Sequence, residues 1–336
     1  MDSYNPNNFA FNTANSAQKE AEKRKLKKTS NLIGAVYIIL WLLPSFINGL
    51  INDIAKLFNL ERIFSQIFSD PAFLMVYQII FSMLVFTLHF LILPKGLGKS
   101  VGEMLGLNRP DKNLFLPLIL VGVGVSAFAN IIIGNIGIFF ESFGIRFNTP
   151  EIQYPEGIFG FLLSFIAIAI TPALTEEFAT RGMVMGSSKE FGESFALIAS
   201  ATFFALMHGN LVQIPFAFIM GIIIGFAVIK TGSLLTGIII HFINNAVSVS
   251  MNYILEGIES IILQNIVSIL YFGICIVLLF FGILLAQKRK ENVWSLEKCE
   301  CALSNGEKFK LFFFSPTIII SIALTVIDCI GMISFI

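Results

Sequence analysis

The stretch IFGFLLSFIAIAITPALTEEFATRGMVMG, residues 158–186, decides the fold class and most of the chemistry. Its first part, Ile158 to Leu174, is a long apolar run of the kind that crosses a bilayer, for which about 20 predominantly apolar residues are needed. The run then leads into Thr175-Glu176-Glu177-Phe178-Ala179-Thr180-Arg181, which places two carboxylates and a guanidinium where a membrane-embedded helix should carry none. An ionisable group in that setting is costly unless it is paired or hydrated, so its presence is in the first instance a sign of function. Two more polar clusters stand in later apolar runs: Phe204-Ala-Leu-Met-His208 and His241-Phe-Ile-Asn244-Asn245. The chain has 3 histidines, and two of them are here.

Composition agrees with a membrane setting. Of 336 residues, 56% are hydrophobic and 13% charged, and 36 are Phe; mean hydropathy is +0.82. Soluble domains carry about 25% charged residues. The chain is therefore expected to be all-α, a polytopic helical membrane protein. Uninterrupted apolar runs exclude an outer-membrane barrel, whose strands alternate polar and apolar residues. The net charge of +0 gives no reason to expect nucleic acid as a partner.

Apolar runs lie at Leu32–Ile51, Phe73–Leu93, Leu114–Phe140, Ile158–Gly186, Phe195–His208, Ile214–Ile229, Leu234–Met251, Ile261–Ala286 and Leu311–Phe335. The fifth and sixth are short enough to form a re-entrant or broken hairpin, so eight or nine spans are expected. Basic residues cluster at Lys19–Lys28, in the loop Pro94–Asn113, at Lys189, at Lys230 and at Lys288–Lys290. All fall on one side if the N-terminus is cytoplasmic, while Lys56, Arg62 and Arg146 fall on the other. A multi-pass protein of the plasma membrane follows, with no signal peptide expected. The organisation reads as a disordered basic tail (1–30), N-terminal transmembrane helices (31–157), a catalytic core (158–250) and C-terminal transmembrane helices (251–336). The 4 cysteines suggest neither a disulfide nor a structural metal, because Cys299-x-Cys301 is tighter than the usual ligand spacing.

Residues four apart on a helix share a face, so Glu177 and Arg181 can pair. Glu176 is rotated by about 100° from Glu177. One carboxylate is thus free to face a reaction while its neighbour holds the arginine. A carboxylate with a histidine can act as general base on a water and later return the proton. A second histidine and an amide suit an oxyanion. Glu176, His208, His241 and Asn245 are the candidates for these roles, with Glu177, Arg181 and Phe204 in support. These are the parts of a hydrolase acting on a carbonyl, with no serine or cysteine nucleophile beside them.

In this order the residues resemble the CAAX prenyl endopeptidase and bacteriocin-processing superfamily, the CPBP or Abi family. Its Glu-Glu-x-x-x-Arg, Phe-x-x-x-His and His-x-x-x-Asn motifs are matched by Glu176, Glu177 and Arg181, by Phe204 and His208, and by His241 and Asn245. The resemblance covers about Ile158–Val249. It implies a metal-independent glutamate-type intramembrane protease without a cofactor. In that family the first Glu and middle His activate water, the last His and Asn form the oxyanion hole, and the second Glu and Arg support the site. The implied partners are the lipid bilayer and a membrane-tethered or prenylated peptide. Helix rise puts Glu176 about 15 Å from the cytoplasmic end of its span and His241 about 10 Å from Leu234, a site in the cytoplasmic half.

Three other readings use the same residues. Glu176, His208 and His241 are a plausible zinc ligand set, although the His-Glu-x-x-His motif is absent. Intramembrane carboxylates also serve proton-coupled transporters, but no inverted repeat is visible. A non-catalytic immunity or scaffold protein could use the same fold.

Overall fold

The computed structural model describes residues 6–148 and 152–335, with side chains from residue 16 onward. Its helices are α1 (Pro6–Leu57), α2 (Pro71–Leu97), α3 (Phe115–Glu141), α4 (Gly157–Phe191), α5 (Glu193–Leu206), α6 (Gln213–Thr231), α7 (Leu234–Glu256), α8 (Ile261–Arg289), α9 (Asn305–Phe313) and α10 (Pro316–Gly331). Among the described residues, seven helices are long and apolar enough to cross a bilayer. They are α1 from Ser16, α2, α3, α4, α6, α7 and α8. The pair α9 and α10 makes an eighth span if counted together across its 65° bend. The exposed surface agrees: α8 presents Ile269, Leu270, Val277, Phe280 and Leu284 outward, an apolar area that lipid covers and water would not. The chain is a multi-pass membrane protein.

Three expectations are corrected. The fifth apolar run is α5, only 14 residues long, or about 21 Å against about 30 Å of hydrocarbon. The last run is not one helix. Pro316 starts α10 afresh after Ser315, because proline supplies no N–H and clashes with the preceding turn. Its end, β2 (Ile333–Phe335), pairs antiparallel with β1 (Ile145–Phe147). By length and composition alone the spans number seven or eight. The short α5 still returns the chain across the bundle, because Glu190 before it and Thr231 at the end of α6 both lie beside the loop between α2 and α3.

The third correction concerns the tail. Residues 1–5 lie outside the described residues, and from Pro6 the chain is helical where a disordered segment to residue 30 is expected. The basic run finds acidic partners from distant segments: Lys19 bonds Glu307 at 2.8 Å, and Lys25 pairs with Glu190. Glu22 accepts the N–H groups of Ala302 and Leu303. Leu26, Thr29 and Ser30 are fully buried. Composition alone does not reveal a partner supplied from nearly 300 residues away.

Two apolar clusters flank α4. One joins Ile33, Tyr37, Phe90, Met183, Phe203 and Phe312; the other joins Leu118, Met185, Phe204, Met220, Ile240 and Cys275. α3 packs along α8, α5 along α6 and α1 along α10. Near α5, Cys299 and Cys301 form a disulfide across a Cα separation of 5.3 Å. A metal-spacing criterion does not test for that bond, whose Cα atoms usually lie about 4.4–6.8 Å apart.

Candidate active site

α4 is irregular where the sequence is polar. Its central turns, Thr171–Glu177, are α-helical, but π-helical segments precede them at Phe165–Ile170 and follow them at Phe178–Met185. Such wide turns inside α-helices occur mostly at functional sites. Pro172 lies at the first join and has no N–H to give to the carbonyl of Ile168, four residues before it. The side-chain amide of Asn245 fills that role, with Nδ2 donating to Ile168 O at 3.0 Å. Thr171 and Thr175 hydroxyls take the carbonyls of Ile166 and Thr171 at 2.9 Å each. Within a bilayer every backbone group needs such a partner.

Glu177 and Arg181 pair as the four-residue spacing predicts. Arg181 Nη1 donates to Glu177 Oε1 at 2.7 Å, and both side chains are fully buried. The guanidinium also donates to Thr180 Oγ1 at 2.9 Å and to the Gly221 carbonyl of α6 at 3.2 Å. It lies 4.2 Å from the centre of the Phe204 ring, within the range of a cation–π contact. His241 joins the group: its Nδ1 donates to Glu177 Oε1 at 2.9 Å. That contact runs from α4 to α7 and cannot be read from spacing within one helix. Gly237, one turn before His241, makes room for it. A Cβ there would lie 2.7 Å from Val228 Cγ2 and 3.0 Å from Glu177 Oε2.

Glu176 points elsewhere. It lines a cavity of about 400 Å³ together with Phe204, His208, His241, Asn244 and Asn245. No donor among the described residues reaches its carboxylate, whose Oε2 is buried. A carboxylate so placed is available to a reacting group. His208 Nδ1 lies 2.7 Å from Phe204 O. A carbonyl only accepts, so Nδ1 carries the proton and Nε2 holds the lone pair of the neutral ring. His241 uses Nδ1 for Glu177, which leaves Nε2 as the ring nitrogen for the cavity. The Phe204 ring meets both imidazoles edge to face, at 5.1 Å for His208 and 5.5 Å for His241. It is the partition between the buried pair and the cavity.

The structure thus brings Glu176, Phe204, His208, His241 and Asn245 to one cavity and sets Glu177 and Arg181 behind it. Asn245 Oδ1 accepts from Asn244 Nδ2 at 2.9 Å, so its own Nδ2 retains one N–H beyond that given to Ile168. Gln78 of α2, Asn130 of α3, Gln213 of α6 and Ser248 of α7 also line the cavity. Sequence reasoning passed over them, although Gln78 and Asn130 are polar amides inside apolar spans, a signal of the same kind as the one that marked the glutamates.

The cavity is not confined to the half of the bundle nearest the basic loops. It continues to Ile152 and Tyr154, in the segment between α3 and α4. That is the end of the bundle away from the basic loops, where Gly106 and Asp111 bond Leu234 and Thr231. The reason is the short α5. It ends at Leu206, just before His208, and His208, Val212 and Gln213 beyond it line the cavity. Among the described residues, no three His, Cys, Asp or Glu side chains are grouped so as to hold a metal ion.

Comparison with known proteins places this segment. No curated protein and no solved structure matches the chain. Residues 158–247, from the first turn of α4 through the middle of α7, match the family described as Rce1-like, type II CAAX prenyl endopeptidase. Over that segment, set within a membrane-spanning helical bundle, the chain is similar to the Rce1-like, CAAX-protease-type (CPBP) family.

Proposed function

We propose that this protein is an intramembrane endopeptidase in which Glu176 and His208 activate a water against a peptide carbonyl. The observation that carries this reading is the division between neighbouring carboxylates. Glu177 is committed to Arg181 and His241, while Glu176 faces the cavity beside His208. In the reaction, Glu176 takes a proton from the water as its oxygen bonds the carbonyl carbon. The resulting oxyanion receives hydrogen bonds from the second N–H of Asn245 and from Nε2 of His241 in its protonated form. The C–N bond then breaks as the proton passes to the leaving amine, with His208 as relay. Preorganised donors of this kind are usually the largest single contribution to such catalysis.

The substrate is a membrane-tethered peptide or protein. Ile133, Ile168, Phe216, Met220 and Ile224 give the cavity an apolar wall suited to a lipid-modified or membrane-embedded chain. The basic clusters support a cytoplasmic N-terminus in the plasma membrane. A zinc hydrolase is the second reading; only the orientation of the two imidazoles favours it, since no three ligand side chains are grouped for a metal among the described residues. Both imidazoles have Nδ1 hydrogen-bonded and Nε2 left over, which is how metal-bound histidines are oriented.

The test is a comparison of membrane and secreted peptides from cells carrying the wild-type protein or Glu176→Gln. A peptide that becomes shorter by hydrolysis only with the wild type supports the proposal. Identical peptide masses in both, with both proteins present in the membrane, contradict it.

A further inference from the structure

A second cavity, of about 390 Å³, opens at the basic end of the bundle, where α5 begins. Gly192, Glu193, Ser194 and Phe195 form one wall, and Lys298 and Lys308 line it from the opposite segment. α5 has no side-chain N-cap; Gly192 holds that position with φ +110°. Ala196 N bonds Gly192 O at 2.9 Å, but the N–H groups of Glu193, Ser194 and Phe195 precede the first available carbonyls of the helix. They form its positive end.

Lys308 of α9 is 2% exposed, and its ammonium makes no hydrogen bond or ion pair among the described residues. Its Nζ lies 3.9 Å from where a Cβ at Gly192 would stand. The Lys308 ammonium therefore stands close to the positive end of a helix, and a further anion between them would be held by both, beside the carboxylates of Glu22 and of Glu193 in the first turn. Nearby carboxylates are already engaged. Glu22, which acts on Lys308 electrostatically, accepts the N–H groups of Ala302 and Leu303. Glu190 pairs with Lys25 and Lys99, Glu193 accepts from Glu297 N at 2.8 Å, and Glu307 pairs with Lys19. Glu297 lies exposed at the rim beside the equally exposed Lys298, so the two offset each other. Gly192 keeps the cradle open, since a Cβ would also fall 2.9 Å from Cys299 Cβ.

We propose that this cavity binds a phosphate-type oxyanion, held by the N–H groups of Glu193, Ser194 and Phe195 and by the Lys308 ammonium. The phosphate belongs either to a lipid headgroup at the membrane surface or to a soluble phosphate. The test uses the full chain, wild type and Lys308→Met, which keeps the apolar stem and removes the charge. Unfolding temperature is measured in neutral detergent with sodium phosphate against chloride at equal ionic strength. It is then measured in nanodiscs of phosphatidylcholine with and without phosphatidylglycerol.

The wild type is expected to be stabilised by at least one source, and Lys308→Met to bind at least about tenfold more weakly, the usual loss for a charge-assisted hydrogen bond. Stabilisation by phosphatidylglycerol alone identifies a headgroup site; stabilisation by phosphate identifies a soluble ligand. No stabilisation from either source, or an equal one in Lys308→Met, overturns the proposal. Should Lys308→Met not fold, native mass spectrometry of the wild type decides. Preferential retention of phosphate or phosphatidylglycerol over phosphatidylcholine supports the site, and equal retention overturns it.

Discussion

Glu176 and Glu177 are the same residue type, adjacent in sequence and at nearly the same depth, yet their surroundings differ completely. Glu177 lies in a dry cluster, bonded to Arg181 and His241 and with no exposed surface. Glu176 faces a cavity where no donor among the described residues meets it. A rotation of about 100° along the helix separates the two roles. The buried cluster holds His241 Nδ1, and the cavity side leaves the Glu176 carboxylate without a donor among the described residues. An intramembrane site can therefore keep an available carboxylate by giving its neighbour all the local partners.

The buried side is the more fragile, and removing its cation should have the largest effect. Arg181→Met leaves Glu177 buried without its ion pair, a loss of about 3–5 kcal/mol. Denaturant unfolding in detergent should show a severely destabilised protein. Arg181→Lys should recover only part, because one ammonium cannot reach Glu177, Thr180 and Gly221 together. Full stability in Arg181→Met would break the contrast between the two sides.

Asn245 stands between the regions, since its amide supports the Pro172 break in α4 and also lines the cavity. Asn245→Ala should lower the catalytic rate by about 10²–10³-fold, as for loss of one oxyanion donor, and should raise hydrogen exchange around Ile168. A changed rate with unchanged exchange would place Asn245 wholly on the reacting side. Slower still in consequence is Tyr253→Phe. Its hydroxyl bonds the Pro155 carbonyl at 2.7 Å and Ser164 at 3.1 Å. Its loss should cost about 1 kcal/mol of stability with the catalytic rate unchanged.

Chelation should have the smallest effect. Protein shown metal-free by elemental analysis is expected to retain most of its activity. Stoichiometric zinc, with activity lost to a chelator and restored on adding zinc, would make Glu176, His208 and His241 metal ligands instead.

The apolar runs and intramembrane charges made the membrane class legible in the sequence, and they marked the residues that meet at the cavity. The Glu177–Arg181 pair was legible too, because it lies within one helix and obeys a fixed spacing. The His241–Glu177 bond was not, since it depends on how α4 and α7 pack. Nor was the use of Asn245 at Ile168, although Pro172 announces an unpartnered carbonyl four residues before it. The helical start of α1 was hidden for a similar reason: Lys19 and Lys25 look solvated until Glu307 and Glu190 arrive from distant segments. The reach of the cavity to Ile152 and Tyr154 was not legible either, because an apolar run gives no boundary such as the end of α5 at Leu206.

The most direct test is to make the same substitution at both neighbours and measure peptide cleavage and unfolding together. Glu176→Gln should lose about 10²–10⁴-fold in rate, the range for a general base, with wild-type stability. Glu177→Gln should be the destabilised variant, because Arg181 and His241 lose their shared carboxylate. Substantial turnover by a purified, well-folded Glu176→Gln protein would contradict the assignment of Glu176 as the residue that activates water.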